Sequence, residues 1–218
     1  MQFAYQFPER TDRLVLISSG GAGRGVSPVL RLAALPGAST ALSALRLPGM
    51  MRALRLAAEL VRRFELGAGI DAAEAMRVIE SLPSQTARSA FIRSLRAVVD
   101  GRGQVVTMLD RCYLVRGMPT LLMWGARDRV LPVGHAHKAH AAMPGSRLEI
   151  FPDAGHFPFH SDPARFIGLL EDFCASTEPS TWSSEQWRDL LRRGRVGTLA
   201  DSPQFVPDLE LECERSAT

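Results

Sequence analysis

Aromatic side chains make up only 7% of this 218-residue chain. Residues 20–117 carry a net charge of +7, yet only Phe64, Phe91 and Tyr113 are aromatic there. Nucleic-acid surfaces usually interleave cations with stacking rings, so no nucleic-acid partner is expected. Cysteine is scarcer still. Cys112, Cys174 and Cys213 are odd in number, far apart and in no metal-ligand spacing, which argues against a disulfide framework and points to a reducing compartment, the cytosol by default. Long apolar runs are also missing: no apolar window reaches membrane-span length without an Arg, and Met1 to Arg10 contain no basic segment leading into an apolar one. Neither a membrane span nor a secretory signal is expected.

What is present suits a folded domain. Hydrophobic residues make up 46% and charged residues 22%, enough apolar surface for a sizeable core. The net charge is +3 overall but uneven, at −1 for 118–176 and −3 for 177–218. The middle is basic and the tail acidic.

Phe3, Ala4 and Phe7, stopped by Pro8, read as the last turns of a helix without a cap before it. An uncapped helix of about two turns is marginal because nucleation is costly, so Met1 looks like a start placed inside an element. Arg13 to Ser18 is apolar on both faces, as in a buried parallel strand. From Gly20 to Gly117 no convincing strand occurs. Helices are expected from Met50 to Leu66, with an Arg-rich outer face, from Asp71 to Leu82, and from Ser84 to Val99. A helical insertion of this size between two strands is commonly a cap or lid. The Arg face suits either solvent or an anionic lipid surface.

Leu121 to Trp124 is a second buried strand. Pro132 is expected to open a helix running through His140, ended by Pro144-Gly145. Leu148 to Phe151 makes a third strand, and Ser161 or Asp162 caps a last core helix with Phe166, Ile167, Leu169, Leu170 and Phe173 on one side. Strand, helix, strand, helix implies a parallel sheet with right-handed crossovers. Ser183 to Arg193 reads as one more amphipathic helix anchored by Trp182, Trp187 and Leu190, and the rest of the tail as loose.

The carboxyl ends of parallel strands collect functional groups, and two of the strand ends here are followed by Asp128 and His156. An Asp in such a loop is more often a turn residue than a catalyst. Paired with a histidine from the next strand, it has the makings of an acid that holds an imidazole in one tautomer. His135, His137 and His140 lie on a helix without an acidic or cysteine companion and are expected to be solvated rather than metal-bound. His160 either lines a pocket or simply precedes the helix cap.

From Met1 to Ser176 the sequence resembles the α/β-hydrolase family. The resemblance is carried by Phe3 to Ser18, similar to the end of the post-nucleophile helix and the sixth strand, by Leu121-Leu122-Met123-Trp124-Gly125-Ala126-Arg127-Asp128 with Arg129-Val130-Leu131-Pro132, and by Phe151-Pro152-Asp153-Ala154-Gly155-His156. It implies an α/β fold consisting of the C-terminal part of such a hydrolase, with three parallel core strands (1–19 and 118–176), a helical cap (20–117) and a polar tail (177–218). It also implies Asp128 as triad acid and His156 as general base, no cofactor or metal, and a small lipophilic ester-like substrate beneath the cap. The departure is the nucleophile. The family carries it in a G-x-S-x-G elbow, and none occurs in these 218 residues. Ser18 and Ser19 follow a strand but are not expected to form the strained strand-to-helix turn that exposes a nucleophile. The resemblance thus implies acid and base without the group they activate, inactive alone. The alternatives are a non-catalytic binding or association module, self-association through the exposed sheet edge, or half of a split enzyme.

Overall fold

A computed structural model describes residues 1–38, 49–50, 52–53, 55–56, 78, 81–82 and 84–193. The strands are β1 (Leu14–Ile17), β2 (Val99–Asp100), β3 (Gly103–Gln104), β4 (Thr120–Gly125) and β5 (Arg147–Phe151). The helices are α1 (Gln2–Gln6), α2 (Pro28–Ala34), α3 (Gln85–Val98), α4 (Gly134–Ala142), α5 (Pro158–Ser161), α6 (Pro163–Ser176) and α7 (Ser184–Arg193), with 3-10 turns at Pro8–Arg10 and Leu109–Val115. Most of the expected helix from Met50 to Leu66 and of that from Asp71 to Leu82 lies outside the described residues, as do Cys213 and everything after Arg193.

β1, β4 and β5 form a parallel sheet in the order β1-β4-β5. Leu14 to Ile17 pair with Thr120 to Met123, and Leu121 to Gly125 pair with Arg147 to Phe151. β4 is central, with both neighbours hydrogen-bonded to it. Its six residues are all buried, and Leu121, Leu122, Met123 and Trp124 expose nothing to solvent. The unbroken apolar run follows from that position, because a strand covered on both faces has no side on which a polar residue would be solvated. Leu122 packs with Leu14, Leu16, Met108, Cys112, Val115 and Met143 in one cluster, while Leu121 and Met123 meet Phe151, Ala154 and Phe173 in another. Truncating such a leucine to alanine costs about 2–5 kcal/mol.

The insertion between β1 and β4 is pinned where it leaves and rejoins the sheet. Gln104, buried in β3, accepts a hydrogen bond from Gly21 N at 2.7 Å and donates through Nε2 to Gly23 O at 2.8 Å and Gly25 O at 3.1 Å. Its backbone amide donates to Arg24 O at 2.9 Å, and Met108 N donates to Gly21 O at 2.8 Å. One amide side chain thus satisfies three backbone groups of the outgoing loop. α2 and α3 follow from local signals. Ser27 and Ser84 cap them by accepting from Val29 N at 3.3 Å and Ala87 N at 3.0 Å, and Arg96 donates to the terminal carbonyls of Ala34 and Leu35.

Several expectations need correction. The insertion does hold strand, the two-residue ribbon β2-β3, which is too short for alternation to reveal; Asp100 Oδ1 caps its turn by accepting from Arg102 N at 2.7 Å. α4 starts at Gly134 rather than Pro132, because His135 N and Ala136 N donate back three residues to Pro132 O and Val133 O, a tighter turn than an α-helix makes. Ile167 is 53% exposed on α6, away from buried Phe173. His135 is buried rather than solvated, its ring lying against Gly23 and Gly25, where an added β-carbon would meet Nε2 at 2.5 and 3.2 Å. His137 on the same helix is exposed, as expected, and His140 is half-buried with Nδ1 2.9 Å from Ser146 Oγ.

The expected C-terminal helix is α7, opened by a reciprocal cap in which Gln186 N donates to Ser183 Oγ at 3.2 Å and Ser183 N to Gln186 Oε1 at 2.9 Å. Trp187 is buried and stands edge-on to Trp182, with ring centroids 6.2 Å apart.

Candidate active site

Asp128 follows β4 in a turn closed by its own amide donating to Gly125 O at 3.3 Å. Its side chain is fully buried, and its two carboxylate oxygens have separate duties. Oδ1 accepts from Val130 N and Leu131 N, each at 2.8 Å; Oδ2 stands 2.9 Å from Nδ1 of His156. Oδ1 thus holds the turn, and Oδ2 is left to face the histidine.

His156 follows β5 and is 18% exposed at its side chain. The carboxylate facing Nδ1 selects the tautomer with the proton there, so Nδ1–H donates to Oδ2 and the lone pair resides on Nε2. Phe157 stands edge-on to the imidazole with centroids 4.8 Å apart, and Phe159 and His160 continue the ring contacts. A buried, hydrogen-bonded carboxylate behind a partly exposed imidazole is the arrangement that stabilises an imidazolium formed by proton abstraction at Nε2.

The two loops bearing this pair are stitched together along their length. Ala126 N donates to Phe151 O at 2.9 Å, Arg127 N donates to Ala154 O at 3.0 Å, and Arg127 pairs with Asp153 at 2.6 Å. That ion pair is largely exposed and contributes little on its own. The backbone bonds and the close approach of Gly125 to the His loop set the geometry.

Ser18 directly follows β1. Its φ is 42°, in the left-handed region that side chains avoid, and it is buried with a hydroxyl that finds no hydrogen-bond partner. The backbone is strained at this residue. The hydroxyl nevertheless points into the protein, and bends rather than a helix follow it, so neither requirement of an exposed nucleophile turn is met. Among the described residues no group of three or more His, Cys, Asp or Glu side chains is placed to hold a metal ion, and no helix is long and apolar enough to cross a membrane. Trp124, which holds Leu131 of the Asp128 loop, and Gln104, which holds the loop after β1, escaped the sequence reading because their partners are backbone groups.

Adjacent strands of one parallel sheet thus bring a buried carboxylate and a histidine together beyond their carboxyl ends. The description "Alpha/beta hydrolase family" matches residues 5–169, and the chain belongs to that family. It is 51% identical over its whole length to the uncharacterized protein Rv2715 of Mycobacterium tuberculosis, of which it spans 66%. It is 28% identical, over 81% of this chain and 58% of the relative, to a 2-hydroxy-6-oxo-6-phenylhexa-2,4-dienoate hydrolase of Burkholderia cepacia. A pimeloyl-[acyl-carrier protein] methyl ester esterase of Xanthomonas axonopodis pv. citri is 33% identical over 47% of this chain and 46% of its own. Among solved structures, Rv0554 of Mycobacterium tuberculosis has a TM-score of 0.53 at 21% identity, covering 81% of this chain and 61% of that one. A meta-cleavage product hydrolase of Pseudomonas fluorescens IP01 has a TM-score of 0.50 at 18% identity, covering 80% and 60%. These structural likenesses concern the fold.

Proposed function

We propose that this chain supplies the acid–base half of a serine-type hydrolase site, with His156 as general base and Asp128 as the acid that orients it. The observation that carries this reading is the 2.9 Å contact between His156 Nδ1 and the one oxygen of Asp128 not occupied by backbone amides. In the proposed reaction Nε2 removes the proton from a serine hydroxyl as its oxygen attacks a carbonyl carbon, and later returns it to the leaving group. The serine comes from polypeptide outside these 218 residues, and the insertion 20–117 covers the substrate. The substrate class is a small, fairly lipophilic carbonyl compound. The Xanthomonas relative is named for an ester and the Burkholderia relative for a dienoate, so ester and carbon–carbon cleavage are both within this class.

The test joins the chain to the remaining third of the Rv2715 relative and follows p-nitrophenyl butyrate hydrolysis. The joined protein should hydrolyse the ester and lose activity with His156→Ala, while the 218 residues alone should not. His156-dependent turnover by the chain alone would refute the division of the site. Turnover by the joined protein that survives His156→Ala would refute the acid–base role.

A second reading, association through this chain's surface without catalysis, draws on β1. Its one described strand partner is β4, and Phe3 and Phe7, which precede it in the chain, are 58% and 41% exposed. An open strand edge and exposed rings each favour association with another polypeptide. A monodisperse monomer across a concentration series in sedimentation would remove that reading. A role at lipid surfaces for the Arg-rich segment 50–66 rests on residues mostly outside those described; lack of binding to anionic vesicles at low salt would dispose of it.

A further inference from the structure

We infer that Trp124 is a positioning residue for the acid–base pair, acting together with the Ser27 backbone amide on the two peptide units that flank Leu131: Trp124 holds the Leu131 carbonyl, and Ser27 holds the Val130 carbonyl of the peptide that carries the Leu131 amide. The inference rests on the acid–base reading of Asp128 and His156. Trp124 is fully buried in β4, and its Nε1–H donates to Leu131 O at 2.9 Å. Leu131 N–H donates to Asp128 Oδ1 at 2.8 Å. From the other side Ser27 N–H donates to Val130 O at 2.9 Å. Val130 C=O and Leu131 N–H are the two ends of one peptide. The connection therefore runs Ser27 N–H to Val130 C=O, across the peptide to Leu131 N–H, and on to the carboxylate.

Two physical consequences follow. A carbonyl that accepts a hydrogen bond polarises its own amide, so the Ser27 contact strengthens the N–H donation to Oδ1, by roughly 10–30% on condensed-phase estimates. The indole then fixes where that amide is, because β4 is held by strands on both sides and the Trp124 ring packs with Val26, Leu95, Leu131 and Ala136. The carboxylate is otherwise able to rotate about its terminal bond, which is broad for Asp. Saturating Oδ1 with two amides stops that rotation and leaves Oδ2 aimed at Nδ1. Ser27 is also the N-cap of α2, the first helix of the insertion, so the start of the insertion and the acid share one peptide as their support.

The test is spectroscopic and needs no nucleophile. In the 15N-histidine-labelled chain, His156 should be protonated at Nδ1, with a low-field proton that exchanges slowly with water. Trp124→Phe keeps an aromatic ring and removes the donor. Exchange of that proton should become about tenfold faster, the factor that corresponds to one ordinary hydrogen bond. Ser27→Pro removes the amide donor at a residue whose φ of −44° lies about 20° from proline's preferred value, and should act in the same direction. Ser27→Ala keeps the amide, loses only the hydroxyl cap, and should leave the exchange rate within twofold. Should Trp124→Phe not fold, judged by circular dichroism, the two Ser27 variants decide. Unchanged exchange in Ser27→Pro, or equal acceleration in Ser27→Pro and Ser27→Ala, overturns the inference. A wild-type chain protonated at Nε2 sinks the acid–base reading itself, whereas a joined enzyme without hydrolysis refutes the proposed function and leaves this result standing.

Discussion

A β-carbon on Gly125 would lie 2.0 Å from the carbonyl oxygen of Gly155 and 2.3 Å from that of Ala154. The last residue of β4 and the residue before His156 are thus in direct backbone contact, with no room for a methyl group. Because both obstacles are main-chain atoms in paired loops, a side chain at 125 moves the His loop rather than a rotamer. Gly125→Ala should destabilise the chain by about 2–4 kcal/mol in urea unfolding, in the upper range for overpacking. It should also abolish the protected Nδ1 proton of His156.

Two substitutions separate the structural role of Asp128 from the chemical role proposed for it. Asp128→Ala strands the amides of Val130 and Leu131 and should cost about 2–4 kcal/mol, the usual penalty for unsatisfied buried donors. Asp128→Asn can keep an oxygen on those amides while offering an N–H to His156, which reverses the ring's tautomer. It should unfold near the wild-type urea midpoint, yet lower turnover of the joined enzyme by about 10⁴-fold.

Ser18→Gly should make the protein more stable. Left-handed backbone costs a side chain about 1–2 kcal/mol and a buried unpaired hydroxyl about 1–3 kcal/mol, against about 0.5–1 kcal/mol for glycine's extra freedom when unfolded. A gain of about 1 kcal/mol or more in chemical denaturation is expected. A loss of stability would mean that the hydroxyl has a partner in the folded protein.

Gln104→Leu retains bulk and removes both ends of the amide. Gly21 N, Gly23 O and Gly25 O lose their partners together. Hydrogen exchange should speed up at the Gly21 amide and its neighbours through residue 26 while the amides of β4 stay protected. Uniformly faster exchange would indicate general destabilisation rather than release of this loop.

The sheet was legible because its signals are local: three apolar runs of strand length, each followed by a loop, with helix starts at Ser84 and at Ser161 or Asp162 that read from residue type. Asp128 and His156 were legible for the same reason, each standing a few residues beyond a strand end. What stayed hidden depends on pairings distant in sequence. Gln104 meets backbone about eighty residues away, and nothing in Gly103-Gln104 announces it. His135 has the spacing of a solvated helix residue, and only the glycines at 23 and 25 allow its ring to be buried. The strain at Ser18 has no sequence marker, since serine carries no preference for positive φ. Trp124 reads as one more apolar residue of a buried strand, and its indole N–H acquires meaning only when Leu131 turns back to meet it.

The central claim, that His156 backed by Asp128 is the base for a serine supplied from outside these residues, is tested most directly by the rate at which a fluorophosphonate labels that serine in the joined protein. His156→Gln should slow labelling by at least about 100-fold, the lower range for general-base assistance, with the fold intact by circular dichroism. Equal labelling rates in wild type and His156→Gln would contradict the account.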